Sequence, residues 1–499
     1  MKYGFLFGAG AEYAYNLPSG GRFALDIFRQ DTTEAKNDFK EMRKKVDSSS
    51  SYAADWLPSD YQEKNISVFG KSVFQSIIKS TVEHRRKQIV EKVNDFNKDA
   101  KWAVGKLKAD EKLDVNKAFE DLLGKRVTSV KLSPVIAYND VFKDGNKLFE
   151  SNYFSALLLV YKDKIGGSDR KLLGQMILSV MQLQLGALGE KLTRNINDNL
   201  FKKKEENIDL FEDFGELIKL NYNVAGVSGL EFLLEPQKFD TTTSYGVVLR
   251  FAQFLLEEIY SSVLDYKAVI DSYWHYIYNP SSDWAKFCKM SIFLLNVRRY
   301  IANIGAKADT SNPKGYYNML RKSLDAGIYD YSAIATTNYN KIISDVMGSR
   351  YSVAFLNGSV DHWYDPYLNK IGTQKELDNS EHHMVVPLIF TQSGTKPMTS
   401  ISMSEKYVDL YRAWKTSDAI VAAGFGFGTD DEHINGIVRT IVNDDGKKLI
   451  VVTVDSSDNS DREVVARKLK ISDQDKIEIM LVGNDGMING APWTECLKR

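Results

Sequence analysis

Short apolar segments that end in glycine or in small polar residues occur at both ends of this chain and are rare between them. The first segment, residues 3–7, is short and continuous, which predicts a buried strand, and Gly8-Ala9-Gly10-Ala11 follows it directly. A loop over residues 16–21 then leads into a helix with an apolar face that contains Phe23. The order of strand, glycine turn and helix is typical of the first unit of a dinucleotide-binding fold.

Strand-like segments return in the last third of the chain. They cover residues 332–336, 352–356, 385–390, 419–423, 448–454 and 476–482, and helices are predicted between them, notably over 404–415 and 433–442. Strands separated by helices predict a parallel sheet with both faces covered. Because the first strand has no partner nearby in sequence, we expect it to join this sheet. The predicted fold class is therefore α/β, with a Rossmann-like parallel sheet built from the two ends of the chain.

The residues between about 29 and 322 show the periodicity of helices. Apolar residues recur at spacings of three and four in segments 71–96, 155–185 and 245–270, whereas residues 32–59 are polar and irregular and predict a loop. The sequence thus predicts a sheet domain in two parts, residues 1–30 and 326–499. A large all-helical insertion, residues 31–325, is predicted to split it.

Charge and cysteine content exclude several classes of protein. The net charge is -1, from 65 basic and 66 acidic residues, so bulk electrostatics do not support binding to nucleic acid. The two cysteines, Cys288 and Cys496, are too few for a four-cysteine zinc site or a disulfide framework. No segment reaches the roughly 20 apolar residues of a membrane span, and the first apolar run is too short for a signal peptide. We therefore expect a cytoplasmic protein without membrane contact.

Candidate binding residues follow five of the predicted strands. The segments are Gly8-Ala9-Gly10, Thr337-Asn338-Tyr339-Asn340, Asn357-Gly358-Ser359, Gly424-Phe425-Gly426-Phe427 and Asp455. Ligands of open parallel sheets bind beyond the carboxyl ends of the strands, where glycines let backbone amides approach a pyrophosphate. A tight turn or a helix cap would explain any one segment. Five segments at corresponding strand ends favour a binding edge.

The order of these motifs resembles the SIR2 (sirtuin-like) superfamily, particularly its bacterial anti-phage branch of NAD hydrolases. The matching motifs are Gly8-Ala9-Gly10 with Leu17-Pro18-Ser19-Gly20, Thr337-Asn338-Tyr339-Asn340, Leu356-Asn357-Gly358-Ser359, and Gly424-Phe425-Gly426-Phe427 with Asp430. The resemblance covers roughly residues 1–30 and 325–499, and it does not extend to the helical middle.

The resemblance implies that NAD is the ligand and gives a role to each matching position. The positions implied to bind it are Gly8, Ala9, Gly10, Ala11, Pro18, Ser19, Gly20, Phe23, Thr337, Gly424, Gly426, Phe427 and Asp455. The first glycine turn would cradle the pyrophosphate, and the loop with Pro18 and Phe23 would cover the nicotinamide ribose. Asn338 would be the active-site asparagine, which holds the ribose hydroxyls or a water near the anomeric carbon. Asp455 would lie near the adenosine end.

Two catalytic positions depart from the family pattern. Asn340 stands where the family usually has aspartate, and Asn357 stands where it has the histidine that acts as general base. An amide takes no proton at neutral pH, and losing a general base typically costs about 10²–10⁴-fold in rate. The chain is either naturally weak or inactive, or a variant whose histidine was exchanged to keep its substrate intact. The otherwise preserved pocket favours the second interpretation.

The other histidines of this region fit structural roles better than chemical ones. His362 lies five residues after Asn357 and could replace the missing base, but a packing or surface role suits it better. His382 and His383 are adjacent, and adjacent side chains diverge on an extended segment. We therefore expect no metal.

The predicted reaction is hydrolysis of NAD to nicotinamide and ADP-ribose. Nicotinamide leaves as a neutral molecule, so an enzyme needs only to hold the ribose, stabilise positive charge and admit water. The resemblance implies an immune effector that depletes NAD, forms a homo-oligomer and acts with a partner or activator such as an ATPase or a nucleotide-processing enzyme.

Three alternatives stay open. The first is a catalytically silent sensor or regulatory subunit that binds NAD or ADP-ribose, and Asn340 and Asn357 favour it. The second is an NAD-dependent protein deacylase, although such enzymes generally carry a four-cysteine zinc module that this chain cannot build. The third is a nicotinamide-dependent dehydrogenase, which the sequence supports less well because no predicted substrate domain accompanies the glycine turn.

Overall fold

The computed structural model describes residues 1–17, 20–131, 147–203, 207–209, 219–221, 230–264, 273–389, 400–455, 457–483 and 485–497. The strands are β1 (Lys2–Phe7), β2 (Asn207–Asp209), β3 (Lys219–Asn221), β4 (Asp330–Thr336), β5 (Val353–Phe355), β6 (Trp363–Asp365), β7 (Lys370–Gly372), β8 (Val386–Pro387), β9 (Ala419–Ala423), β10 (Lys448–Val454), β11 (Ile477–Val482), β12 (Met487–Ile488) and β13 (Ala491–Pro492).

The helices are α1 (Gly20–Arg29), α2 (Thr33–Lys45), α3 (Ser51–Trp56), α4 (Lys71–His84), α5 (Arg86–Asn94), α6 (Phe96–Asp110), α7 (Val115–Leu123), α8 (Asn152–Asp163), α9 (Gly167–Lys203), α10 (Leu230–Leu234), α11 (Ser244–Val263), α12 (Trp284–Ala306), α13 (Tyr316–Asp325), α14 (Ile342–Met347), α15 (Gln374–Leu377), α16 (Ile401–Lys415), α17 (Glu432–Asn443), α18 (Arg462–Leu469) and α19 (Trp493–Cys496). The 3₁₀ helix Ala9–Tyr15 follows β1.

A six-stranded parallel sheet with the order β11-β10-β9-β1-β4-β5 forms the central element. Numbered by appearance along the chain and read from β5, its strands run 3-2-1-4-5-6, which is the order of dinucleotide-binding Rossmann folds. The predicted fold class, an α/β fold with a Rossmann-like parallel sheet, is thereby confirmed. Helices α16 and α17 confirm the helices predicted over residues 404–415 and 433–442.

Strand β1 lies in the middle of this sheet, as expected from its lack of a nearby partner. Its last residue, Phe7, pairs with Thr336 of β4 on one side and with Ala423 of β9 on the other. Phe5 and Phe7 are fully buried, and each such side chain stabilises the fold by about 2 kcal/mol. On the other face of β1, a Cβ on Gly4 would lie 2.4 Å from Cδ1 of Trp414, so α16 packs against the strand there. Burial on both faces explains the continuous apolar run.

Two predicted segments differ from the structure. The segment predicted over residues 385–390 is described as far as residue 389 and does not add a strand to the main sheet there, since Val386–Pro387 form β8, which pairs antiparallel with β6 in a separate three-stranded sheet. Pro387 has no amide proton and so suits a short edge strand. Residues 32–59 are not a loop but contain α2 and α3, which bury the aromatic rings of Phe39 and Tyr52.

The chain forms two compact units. The first consists of residues 1–19, 30–68 and 270–499 and contains the central sheet, whereas the second consists of residues 20–29 and 69–269. The domains predicted from the sequence, residues 1–30 with 326–499 and the insertion 31–325, have other bounds than these units, and that division stays a prediction. Within the described ranges, the second unit is helical or irregular apart from the antiparallel pair of β2 and β3. None of the described helices is long and apolar enough to cross a membrane.

Helix α1 belongs to the second unit and is held there by a buried carboxylate. Arg22 Nη1 donates to Glu257 Oε2 at 2.7 Å, and Arg29 Nη2 donates to Oε1 of the same carboxylate at 2.8 Å. The Glu257 side chain is 3% exposed, so this pair of contacts satisfies a charge that would otherwise be costly to bury.

Candidate functional site

The order of the central sheet reverses between β1 and β9, which lie side by side although most of the chain separates them. Open α/β sheets bind ligands in the crevice beyond the carboxyl ends of the strands at such a reversal. Gly8 follows β1, Gly424 follows β9, and Thr337 follows the neighbouring strand β4. The structure therefore brings these three predicted binding segments to one edge.

The two glycine loops at this edge contact each other through their backbones. Gly8 N donates to Ala423 O at 3.1 Å, and Gly10 N donates to Gly424 O at 2.9 Å. A Cβ on Gly8 would lie 2.6 Å from Gly424 O, and one on Gly424, whose φ is +62°, would lie 2.2 Å from Ala11 N. This close approach requires glycine at both positions without any ligand. A Cβ on Gly426, in contrast, would meet nothing within 4 Å.

Asn338 is buried behind the first glycine loop, and its amide has a fixed orientation. Nδ2 donates to Gly8 O and to the hydroxyl of Tyr317, both at 3.1 Å. Because a backbone carbonyl can only accept, Nδ2 must face Gly8 and the side-chain oxygen must face away. No described residue donates a hydrogen bond to that oxygen. Asn338 can therefore accept one from a ligand hydroxyl.

The sequence prediction missed Glu12, whose carboxylate lies next to Asn340. Oε2 accepts a hydrogen bond from Asn340 Nδ2 at 2.6 Å, and Oε1 accepts one from the Tyr317 hydroxyl at 2.9 Å. Burial raises the pKa of Glu12 to about 7, and hydrogen bonds from Asn340 and Tyr317 oppose that rise. Only its place directly after the first glycine turn could have marked Glu12 in the sequence.

Asn357 is fully buried and bonded at both ends of its amide. Nδ2 donates to Asp431 Oδ1 at 3.3 Å, and Oδ1 lies 3.2 Å from His433 Nε2. Since Nδ2 faces the carboxylate, Oδ1 must be the acceptor, so His433 Nε2 carries the proton and Nδ1 is the unprotonated nitrogen. Burial lowers the pKa of His433 to about 4, so the ring is neutral at pH 7. No motif in the sequence marks His433, which the prediction missed.

His362 does not contact the Asn357 amide. Its Nδ1 lies 2.6 Å from Ser359 Oγ and its ring lies against Phe355. Burial lowers the pKa of His362 to about 4, which leaves it neutral at pH 7. These contacts order the turn that follows β5.

The neighbouring pair of histidines has a structural arrangement. His383 Nδ1 lies 2.7 Å from Asp365 Oδ2 and Nε2 lies 3.0 Å from Glu381 Oε2, while its ring stacks on Tyr52 at 4.2 Å. His382 is exposed and pairs with Asp378. Within the described ranges, no group of three or more acidic, histidine or cysteine side chains is arranged to hold a metal ion.

Some of the remaining predicted positions lie near the carboxyl ends of the strands, and others belong to the second unit or lie outside the described residues. Phe427 is buried against Phe425, and Asp455 is exposed directly after β10. Lys468, which was not predicted, lies near the second glycine loop, with Nζ 3.4 Å from Gly426 O. Gly20 and Phe23 belong to α1 of the second unit. Pro18 and Ser19 lie outside the described residues.

The chain shows only limited similarity to known proteins. No protein-family model and no curated protein matches the chain. Among solved structures, a histidine-to-tyrosine mutant of Sir2 with a p53 peptide and NAD is similar to this chain, with 18% sequence identity and a TM-score of 0.21. The similar region covers 31% of this chain and 68% of that one.

Proposed function

We propose that this protein binds NAD at the crevice beyond β1, β4 and β9 and hydrolyses it to nicotinamide and ADP-ribose. The single observation that carries the proposal is the fixed amide of Asn338, whose oxygen is free to accept from a hydroxyl at the reversal of the strand order. The order of the surrounding motifs, which resembles that of SIR2-type NAD hydrolases, supplies the choice of NAD.

The proposed chemistry needs few protein groups. Oxygen from water forms a bond to the anomeric carbon of the ribose, the bond to nicotinamide breaks with its electron pair going to the ring nitrogen, and the water releases a proton. Asn338 orients the ribose through its side-chain oxygen. Lys468 beside Gly426 places a positive charge near the second glycine loop, where the negatively charged pyrophosphate is proposed to bind.

Deprotonation of the water is the weak step in this chain, because the Asn357 amide cannot accept a proton. We therefore expect slow turnover from the chain as it stands. A histidine at position 357 supplies a base, and bases of this kind contribute about 10²–10⁴-fold to the rate. Hydrolysis is favoured over deacylation because two cysteines cannot form the zinc module that deacylases of this superfamily generally carry.

A catalytically silent sensor of NAD or ADP-ribose is the second candidate. Asn357 favours it, since Asp431 accepts from its amide nitrogen and His433 donates to its oxygen. Both ends of the Asn357 amide are thus hydrogen-bonded. Such surroundings favour a native asparagine over the interpretation in which a histidine was exchanged at this position. In this candidate, ligand binding changes assembly or a partner interaction without turnover.

The biological role that we propose follows the resemblance of the motifs. The protein acts as a homo-oligomeric effector that depletes NAD during phage infection, together with a partner or activator such as an ATPase or a nucleotide-processing enzyme. Cells that express it are expected to lose NAD after infection and to restrict the phage. NAD levels that stay constant while phage growth is restricted would contradict this role.

The decisive experiment measures nicotinamide and ADP-ribose by chromatography for this chain, for Asn357→His, and for a control, Asn65→His, at an exposed position. Turnover that appears or rises strongly only in Asn357→His supports the hydrolase. NAD binding without turnover in all three supports the sensor. Failure of all three to hydrolyse NAD, together with failure to bind either NAD or ADP-ribose, contradicts both candidates.

A further inference from the structure

A buried carboxylate lies directly behind Asn338 without a positive partner. Glu12 is 4% exposed, and within the described part of the chain no lysine, arginine or histidine is among the groups that shift its pKa. Buried charges are usually paired or neutralised, since burial without compensation is costly. Here the compensation comes from neutral donors, the amide of Asn340 and the hydroxyl of Tyr317.

The carboxylate determines which atoms of this network donate. An ionised carboxylate can only accept hydrogen bonds, so Tyr317 must give its single proton to Glu12. The Tyr317 oxygen is then free only to accept, and Asn338 Nδ2 donates to it at 3.1 Å. The other hydrogen of that nitrogen goes to Gly8 O. Both Asn338 hydrogens therefore stay inside the protein.

We propose that Glu12 is a positioning residue, whose carboxylate takes the Tyr317 proton and thereby reinforces the orientation that Gly8 O imposes on Asn338, so that Asn338 presents its side-chain oxygen to a ligand hydroxyl. This inference rests on the proposed binding of NAD and its product at the same edge. It assigns Glu12 no contact with the ligand, because Glu12 acts through Tyr317 and Asn338.

Asn340 supplies the complementary half of the arrangement. Its Oδ1 accepts from Ile342 N at 3.0 Å, so its Nδ2 must point to Glu12. One carboxylate and one amide are required at positions 12 and 340, and either order gives the same number of donors and acceptors. A glutamine at 12 with an aspartate at 340 can thus replace the present pair, whereas two amides or two carboxylates cannot.

Protonation of Glu12 gives the proposal a second signature. Burial raises the pKa of Glu12 to about 7, so the carboxyl gains a proton near neutral pH and can then donate as well as accept. The titratable groups that face it are Tyr15 and Tyr317, and burial raises the pKa of both hydroxyls, so they stay neutral. Ligand affinity is therefore expected to increase from pH 6 to pH 8 as Glu12 ionises.

The test compares this chain with Glu12→Gln, Asn340→Asp and the double variant, using ADP-ribose binding by calorimetry at pH 6 and pH 8. We expect each single variant to bind about tenfold or more weakly at pH 8, and the double variant to return to within about threefold of the parent chain. Glu12→Gln is also expected to lose the pH dependence. The control is Asp445→Asn, which loses a contact with Lys415 at the opposite edge of the sheet and is expected to change only stability.

The outcomes separate this inference from the proposed function. Equal affinity and equal pH dependence in the parent chain and Glu12→Gln overturn the positioning role, as does a double variant no better than the single ones. A lower melting temperature with unchanged binding also overturns it, because it indicates a purely structural residue. ADP-ribose binding that follows the expected pattern without NAD hydrolysis contradicts only the hydrolase. A parent chain that binds neither ADP-ribose nor NAD overturns both.

Discussion

His433 Nε2 lies 3.2 Å from Asn357 Oδ1, and this contact joins the segment after β9 to the segment after β5. Strands β1 and β4 lie between those two strands in the sheet. The contact therefore spans the carboxyl ends of both central strands, where the candidate site lies. The hydrogen bond between His433 and Asn357 therefore helps to fix the distance between the loops on the two sides of the crevice.

The first prediction concerns acid stability. His433 and His362 both have a pKa lowered to about 4 by burial, so the unfolded chain binds their protons more readily than the folded one. Their contribution to stability is present above pH 6.5 and is lost as the pH falls from 6.5 towards 4, by roughly 1–3 kcal/mol for each ring. His433→Gln keeps a donor for Asn357 but cannot titrate. Melting temperatures between pH 4 and pH 7 should therefore fall less steeply in this variant. The control is the exposed His84→Gln, and equal flattening in both contradicts the prediction.

The second prediction compares two glycines of one loop. Gly424→Ala should destabilise the first unit by several kcal/mol, about 2–4, because the new Cβ would lie 2.2 Å from Ala11 N at a φ of +62°. Gly426→Ala has open space and should keep the melting temperature. If Gly426 borders the cofactor, its alanine variant should nevertheless bind NAD more weakly. Thermal unfolding and calorimetry measure the two effects separately. Equal melting temperatures for the two variants would show that the loops do not pack as described.

The third prediction assigns a structural role to the His383 cluster. Asp365→Asn removes the carboxylate beside Nδ1 of a ring whose side chain is only 4% exposed while Glu381 still contacts Nε2, and we expect a loss of about 1–3 kcal/mol in the free energy of unfolding. The matched control is Asp378→Asn, whose partner His382 is exposed, and its effect should stay below about 1 kcal/mol. Urea unfolding gives both values. A chelator should leave them unchanged, and a large chelator effect would indicate a metal at this place.

The fourth prediction concerns the second unit. Glu257→Gln leaves Arg22 and Arg29 with only the longer contacts to the more exposed Asp26, and should destabilise this unit by about 1–3 kcal/mol. Hydrogen exchange should show faster exchange in α1 and α11. The control, Glu111→Gln, breaks a more exposed pair with Arg250 and should cost less than about 1 kcal/mol. Equal exchange in the two variants contradicts a role of the buried pair in holding α1.

The sequence predicts the central sheet because parallel strands buried on both faces leave continuous apolar runs, as in β1 and β9. The same signal misplaces residues 385–390, since an apolar run does not indicate which sheet a strand joins. The helices over residues 32–59 were missed because few apolar residues mark them. Phe39 and Tyr52 anchor them through tertiary packing that the local pattern does not contain.

The candidate site is predictable to the same degree. Residues that directly follow strands, such as Gly8, Asn338 and Gly424, converge because parallel strands end at one edge. Tyr317 was not predicted, because its hydroxyl donates to Glu12, which lies 305 positions away in the sequence. Contacts of this kind depend on which distant segments pack together, and a single sequence contains no direct signal for them.

The central place of β1 also determines when the crevice can form during protein synthesis. β1 is made first, yet its partner β9 follows about 400 residues later. At a synthesis rate of about 5–20 residues per second, that interval lasts roughly 20–80 seconds. Until residue 423 has left the ribosome, one side of β1 has no strand to pair with and the two glycine loops cannot meet. A nascent chain therefore cannot complete the crevice, and a ligand of this edge can bind only once the second half of the sheet has been synthesised.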